Sequence, residues 1–307
     1  MPDRRMELSA PTEEQRLRIK LFGLGSAGCN MIERAQVQTV AFSTSAADLE
    51  RSTSARKILM GPERLLGIAT AKGDVLQQIP SIAGHEIVDL WNNVDFSFMM
   101  CGLGGFSGSL GAKMFSSIAC SKGVPNMLLA TAPFSAESSS RRALADRMLD
   151  DILHMGSLCV QFDNDELSTL APNLPMFRAF GLMNGIMLRP MIDICSSMSR
   201  PDVEVLRRAT NGSNYGRFGL GIGRGDNRAE RAVSEALSSP WFDFPLSDTK
   251  CAMAIYSASD PWQKEFDEML RLTEERLPMA QLLCGSYADN SLGDRIRLSL
   301  ILFRGKS

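Results

Sequence analysis

Two stretches of this chain share one local grammar: an apolar run, a glycine-rich turn and the opening of a helix. The first is IKLFGLGSAGCN at 19–30 and the second is MCGLGGFSGSLGAKM at 100–114. A short apolar run bounded by glycine reads as a strand buried on both faces, and a helix that follows at once must return across the sheet. The alternation continues in VQTVAFST (37–44), VDFSFMMCG (94–102), PNMLLATAPF (125–134) and LCVQFDND (158–165), which read as strands. Residues 109–123 and 138–156 read as helices, and 74–93 as another, begun or broken at Pro80. Such alternation specifies an α/β fold, a mostly parallel sheet with helices on both faces.

The remainder is organised differently. Residues 176–198 form a long apolar helical run, too interrupted for a membrane span, with Pro190 expected to kink or end a segment. A helix at 201–212, closed by Asn211-Gly212, leads to strands at 218–225 and 251–259, an amphipathic helix at 262–277 and strands at 281–291 and 294–303. Residues 1–16 are polar and without periodicity, and read as a flexible arm. The expected organisation is therefore an arm (1–16), a nucleotide-binding domain (17–175), a central helix (176–198) and a smaller α+β domain (199–307).

Composition removes several function classes. The 307 residues carry a net charge of −2, without the basic excess of a nonspecific nucleic-acid binder. Seven cysteines stand singly with no C-x-x-C pair, which gives no zinc-knuckle or thioredoxin signal and suits a reducing compartment. Each reads as a small buried apolar residue. No apolar segment reaches the roughly 20 residues of a membrane span, so the expectation is a soluble, cytoplasmic protein without direct membrane insertion. The two histidines, His85 and His154, fall in polar helical surroundings and read as surface residues. Backbone amides, carboxylates and hydroxyls are left to carry the chemistry.

Gly23, Gly25 and Gly28 have the G-x-G-x-x-G spacing of a dinucleotide turn. Such a turn wants an acid at the end of the next strand to bind a ribose; Ser43 stands there, and Asp48 falls in the following helix. A tight turn without a ligand gives the same spacing. The second turn holds Gly102, Gly104, Gly105, Gly108 and Gly111, with hydroxyls at Ser107 and Ser109, but no G-K-[ST] of a Walker loop. Exposed main-chain N–H groups at a helix start form an anion site. Two such turns exceed the needs of a dehydrogenase, and no His or Lys stands in an evident hydride-transfer setting. A nucleotide di- or triphosphate lying across both is the simpler account.

At the second turn the chain resembles the tubulin/FtsZ family of filament-forming GTPases. The signature G-G-G-T-G-[ST]-G stands here as Gly104-Gly105-Phe106-Ser107-Gly108-Ser109-Leu110, and the resemblance runs from Leu17 to Phe303. It implies a Rossmann-like GTP-binding domain, a long central helix and a smaller C-terminal α+β domain. FGLGSAGCNMIERA resembles the family's first loop and helix, which implies nucleotide contacts at Gly25, Ser26, Ala27, Gly28 and Asn30. APFSAESSSRRALA is similar to the PF-x-x-E-G segment, implying Pro133 and Glu137 at the ribose and Arg141 near the phosphates. FDNDEL resembles the PNDRL strand end at Asn164-Asp165. AFGLMN resembles the start of the central helix, implying that Phe180 stacks on guanine and Asn184 reads its edge. GIGRGDNRAERAVSEALSSPWF and DNSLGDRIRLSLI resemble the family's second domain.

The departures bear on activity. Phe106 and Leu110 replace glycines, bringing bulk toward the phosphates, while Ser43-Thr44-Ser45 replaces NTDAQ. The family's catalytic loop, N-x-D-F-A-D, enters the neighbouring subunit's site; the matching SMSRPD has Ser197 and Ser199 for the Asn and first Asp, leaving Asp202 as the catalytic candidate. Asp202 could equally cap the helix that follows. Loss of a group that activates water costs about 10²–10⁴ in rate. The resemblance thus implies GTP or GDP as ligand, with Mg2+ as accompanying cation, and self-association head-to-tail into filaments that serve division or shape, with weak or absent hydrolysis. The alternative is a non-hydrolysing pseudo-GTPase that caps or copolymerises with a conventional FtsZ. The sequence ends at Ser307, just past the last expected strand, so the partner-binding tail of the family is not expected within these residues.

Overall fold

A computed structural model describes residues 5–8, 11–69 and 78–305. The expected helix at 74–93 and the loop before it therefore lie partly outside the described residues. The chain divides into two compact units, Arg18–Leu188 and a second made of Met1–Leu17 with Arg189–Ser307. Strand β1 (Arg5–Glu7) belongs to the second.

The first unit runs β2 (Ile19–Leu24), α1 (Gly25–Met31), β3 (Thr39–Ser43), α2 (Ala46–Arg51), β4 (Arg56–Leu59), α3 (Pro62–Ala69), α4 (Ile79–Ala83) and α5 (His85–Val88). It continues through β5 (Phe96–Gly102), α6 (Phe106–Ser121), β6 (Asn126–Ala132), α7 (Ser139–His154), β7 (Leu158–Asp163), α8 (Leu167–Leu170) and α9 (Met176–Met187). Its strands are all parallel, in the order β4-β3-β2-β5-β6-β7. From β2 the chain builds outward through β3 and β4, then returns to the other side of β2 for β5. The crevice at the carboxyl ends of β2 and β5 is the switch point where open α/β sheets bind ligands. Both glycine-rich turns open there.

The core behind this edge is aromatic. Phe22 stacks on Trp91 at 4.6 Å between ring centroids, and Phe115 meets Phe22, Phe42 and Trp91 edge-on at 5.0–5.2 Å. Lys113, fully buried on α6, pairs with Asp151 of α7 at 2.8 Å, which satisfies the ammonium where water cannot reach. Gly84 ends α4, so the described part of the helix expected at 74–93 is two short helices and a 3-10 turn at Asp89–Trp91. His85 and His154 are exposed. Five cysteines are buried, but Cys120 is exposed and Cys195 half-buried.

The second unit contains α10 (Arg189–Ser197), α11 (Asp202–Ala209), β8 (Tyr215–Gly223), α12 (Arg228–Leu237), β9 (Thr249–Ala258), α13 (Gln263–Arg276), β10 (Gln281–Ala288) and β11 (Ile296–Arg304). Strand order is β1-β10-β9-β11-β8, with β11 antiparallel to both neighbours and the others parallel. Gly219, Gly221 and Gly223 alternate along β8, so they share one face, and helix α12 lies on it. A Cβ on Gly221 would stand 1.9 Å from the Ala232 carbonyl oxygen; only glycine lets the helix approach so closely.

The structure corrects the reading of the N-terminus. Residues 5–7 form β1, parallel to β10, and Leu8 N donates to Cys284 O at 2.7 Å. Arg5 holds Glu274 through two nitrogens at 3.0 and 2.8 Å. Further on, Arg200 N donates to Gln15 O at 3.1 Å and Arg16 bridges to Ser199. Three-residue strands carry too little alternation to be recognised before their partner is known. The apolar run at 176–198 is also two helices: α9 ends at Met187, and Pro190, second in α10, fits there because the first-turn N–H groups of a helix have no internal acceptor.

A buried charge sits on α10. Asp193 is 2% exposed; its Oδ1 accepts from the Tyr287 hydroxyl at 2.6 Å and lies 3.9 Å from Arg189. Burial raises its pKa, against the opposing pull of Arg189, Ser299, Tyr287 and Arg297. A raised folded-state value means that the native state holds the proton more tightly than the unfolded chain. Stability from this group is therefore full below the ordinary Asp pKa and is lost as pH rises through the raised value. Asp193→Asn should remove that part of the pH dependence: in urea melts from pH 4 to 8, the variant gains relative to the parent as pH rises. A constant difference would contradict the assignment.

Candidate functional site

A cavity of about 840 Å³ runs along the carboxyl edge of the first unit's sheet. That is within the roughly 300–1,000 Å³ of small-ligand sites. Its floor is built by the two turns. Gly25, first in α1, has φ +71°, and a Cβ there would stand 2.7 Å from Gly108 N, so the turns lie in direct contact. Gly25, Ser26, Ala27 and Asn30 line the cavity from one side, and Gly105, Ser107 and Gly108 from the other.

The main feature is the N-terminus of α6. Its cap, Gly105, has no side chain to bond the first turn, and the first helical bond runs from Ser109 N to Gly105 O at 2.9 Å. The N–H groups of Phe106, Ser107 and Gly108 precede it and have no helical acceptor. They lie at the positive end of a 16-residue helix, where an anion is favoured by about 0.3–2 kcal/mol.

Several expected contact residues build this floor without lining it. Ser109 is fully buried and its Oγ accepts from Gly104 N at 2.8 Å, pinning the turn. Gly28 is buried, and a Cβ there would stand 2.1 Å from Met100 O, so it lets α1 pack on β5. Leu110 is 1% exposed within the apolar core, which corrects the expectation that it crowds a ligand. Phe106, by contrast, is 38% exposed and lines the cavity.

At the opposite end stand aromatic and amide groups. Phe134 and Phe180 meet edge-on at 6.2 Å, and Asn184 and Asn164 line the same region. Phe177, not expected from the sequence, lies one turn before Phe180 on α9 and shares its face; helical spacing was the available signal. Between the ends, Pro133, Glu137 and Arg141 form a wall. Glu137 accepts from Phe134 N at 2.9 Å and pairs with Arg141 at 2.6 Å. The Arg141 side chain is half exposed, so this pair contributes little to stability and can rearrange for a ligand. Thr44 and Asp48, beyond β3, also line the cavity, and the Thr44 hydroxyl meets that of Ser107 at 2.5 Å.

Asp202 belongs to the second unit. It opens α11 and is 6% exposed, and its Oδ2 accepts from Ser199 N at 2.8 Å and Ser199 Oγ at 2.7 Å. This ties the residue to the turn before the helix. Asp202→Ala should cost about 1–3 kcal/mol, because the two Ser199 donors lose a charged acceptor. Chemical denaturation measures it, and no change in midpoint would contradict the role. Among the described residues no three carboxylate, imidazole or thiol groups converge as metal ligands. No described helix is long and apolar enough to cross a membrane.

The profile of the FtsZ family's C-terminal domain matches residues 215–304. The cell division protein FtsZ of Methanothermobacter thermautotrophicus is 30% identical over 310 residues, covering 96% of this chain and 81% of the relative. The chain belongs to the FtsZ family. Among solved structures, the W319Y mutant of FtsZ from M. jannaschii is 25% identical with a TM-score of 0.82, covering 95% of this chain and 92% of its own. CetZ2 from Haloferax volcanii, in a GTPγS-bound protofilament, shares the fold at 18% identity and TM-score 0.69, covering 93% and 92%. The FtsZ/tubulin architecture expected from the sequence is therefore the one observed, a Rossmann-like unit with a second α+β unit.

Proposed function

We propose that this FtsZ-family protein binds a guanine nucleotide along the sheet edge and assembles head-to-tail into cytoplasmic filaments. The observation that carries the reading is the uncapped start of α6, opening onto a cavity whose other end holds Phe180 and Asn184. Phosphates lie on the N–H groups of Phe106, Ser107 and Gly108, the ribose faces Glu137, and the base meets the aromatic end. Asn184 presents both a donor and acceptors to the purine edge. Mg2+ enters, if the ligand carries it, on the phosphates.

The interface joins two different surfaces, so repetition gives an open row. Hydrolysis is weak or absent. Of the loop 197–202 only Asp202 offers a carboxylate, and its Oδ2 is engaged by Ser199. The serines at 197 and 199 cannot take up a proton at neutral pH. That same loop favours a second reading, a non-hydrolysing member that caps or copolymerises with a conventional FtsZ. Electron microscopy with GDP, with GTP and without nucleotide tests assembly: nucleotide-dependent filaments are expected, and isolated chains under every condition would contradict it. Phosphate release, alone and mixed with an active FtsZ, separates the two readings.

A further inference from the structure

Resting on the guanine-nucleotide reading, we infer that the phosphate end of this cavity accepts a nucleoside diphosphate in preference to a triphosphate, with Phe106 as the discriminating residue.

The direction of the ligand follows from the sheet. The aromatic end is carried by the segments after β6 and β7 and by α9, while Thr44 and Asp48 follow β3. In the order β3-β2-β5-β6, three spacings of about 4.8 Å put these ends roughly 14 Å apart. A nucleotide with its base at Phe180 therefore points its terminal phosphate toward the β3 side.

Three features close that side. Phe106 is the first residue of α6, and Cα–Cβ bonds in a helix lean toward its N-terminus. Its Cβ therefore leads toward the cavity beyond the helix end, not back over the body of α6. The ring lines the cavity and is 38% exposed. Second, the Thr44 and Ser107 hydroxyls satisfy one another at 2.5 Å, joining the end of β3 to the start of α6 across the path of a longer phosphate chain. Third, the Asp48 carboxylate lines this end, accepting from Ser43 Oγ at 3.0 Å and pairing with Arg51 at 2.7 Å. The Arg51 side chain is 63% exposed, so its charge is screened by water and offsets the acid only in part. A third phosphate adds negative charge and volume where the protein already has a carboxylate and a ring. A diphosphate keeps the main-chain donors and avoids both.

The test is calorimetric titration of the full chain, freed of nucleotide, with GDP and with GTPγS in the same magnesium buffer. GDP is expected to bind at least about tenfold tighter. Phe106→Gly should bring the two affinities within about threefold, mainly by tightening GTPγS. Asp48→Asn, which keeps the shape, should narrow the gap in the same direction and serves if the glycine variant fails to fold. Equal affinities in the parent chain, or a gap unmoved in both variants, would overturn the inference while leaving nucleotide binding intact. Heat with neither ligand would overturn the nucleotide reading itself.

Discussion

Gly25→Val is expected to weaken guanine-nucleotide binding at least about 100-fold while the chain remains folded. The backbone at Gly25 has φ +71°, a conformation that a β-branched residue enters only as an outlier. A Cβ there would also stand 2.7 Å from Gly108 N and 3.0 Å from Gly108 Cα. Both atoms are backbone at the start of α6, so relief comes by moving the turn that presents the anion-binding N–H groups. Hydrogen bonds to a charged partner contribute about 1.5–3 kcal/mol each, and misaligning two of them gives the stated loss. Calorimetric titration with GDP measures it, with a thermal melt as the folding control. Affinity kept within threefold would show that the contact between the two turns does not position the ligand.

The second large effect lies far from any ligand. Gly221→Ala should destabilise the second unit by about 4 kcal/mol, at the upper end of single substitutions. The new methyl would stand 1.9 Å from Ala232 O and 2.6 Å from Ala236 N, both main-chain atoms of α12. No side-chain rotation relieves that contact, and the helix must lift from β8. Ala229, Ala232, Val233 and Ala236, all buried beneath the helix, then lose their packing. Urea denaturation followed through Trp241, which is 3% exposed, reads the change. A shift below 1 kcal/mol would mean that α12 is not held at this distance.

The contrast between these glycines marks how far the sequence could be read. The strand–turn–helix alternation is local: β2 and β5 fell where apolar runs end in glycine, and β6 and β7 where such runs end before Pro133 and at Asp163. The purpose of Gly219, Gly221 and Gly223 was not legible, because it depends on a helix that reaches them only after folding. The same limit hid β1, whose three residues gain identity from pairing with β10, nearly the whole chain away. Within the site, the residue types were readable but their directions were not. Ser109 looked like a phosphate donor, yet its oxygen turns inward to Gly104 N. Leu110 looked like an obstruction, yet it lies one turn further into α6 than Phe106 and is packed in the apolar core. Phe106 lines the cavity instead, because the first residue of a helix has no preceding turn to bury against.

The most direct measurement is the heat released when GDP is titrated into the nucleotide-free chain, with ADP as the control. One saturable site per chain for GDP, and none for ADP, is the expected result. No heat with any guanosine phosphate would contradict the claim that main-chain donors at the start of α6 hold a guanine nucleotide.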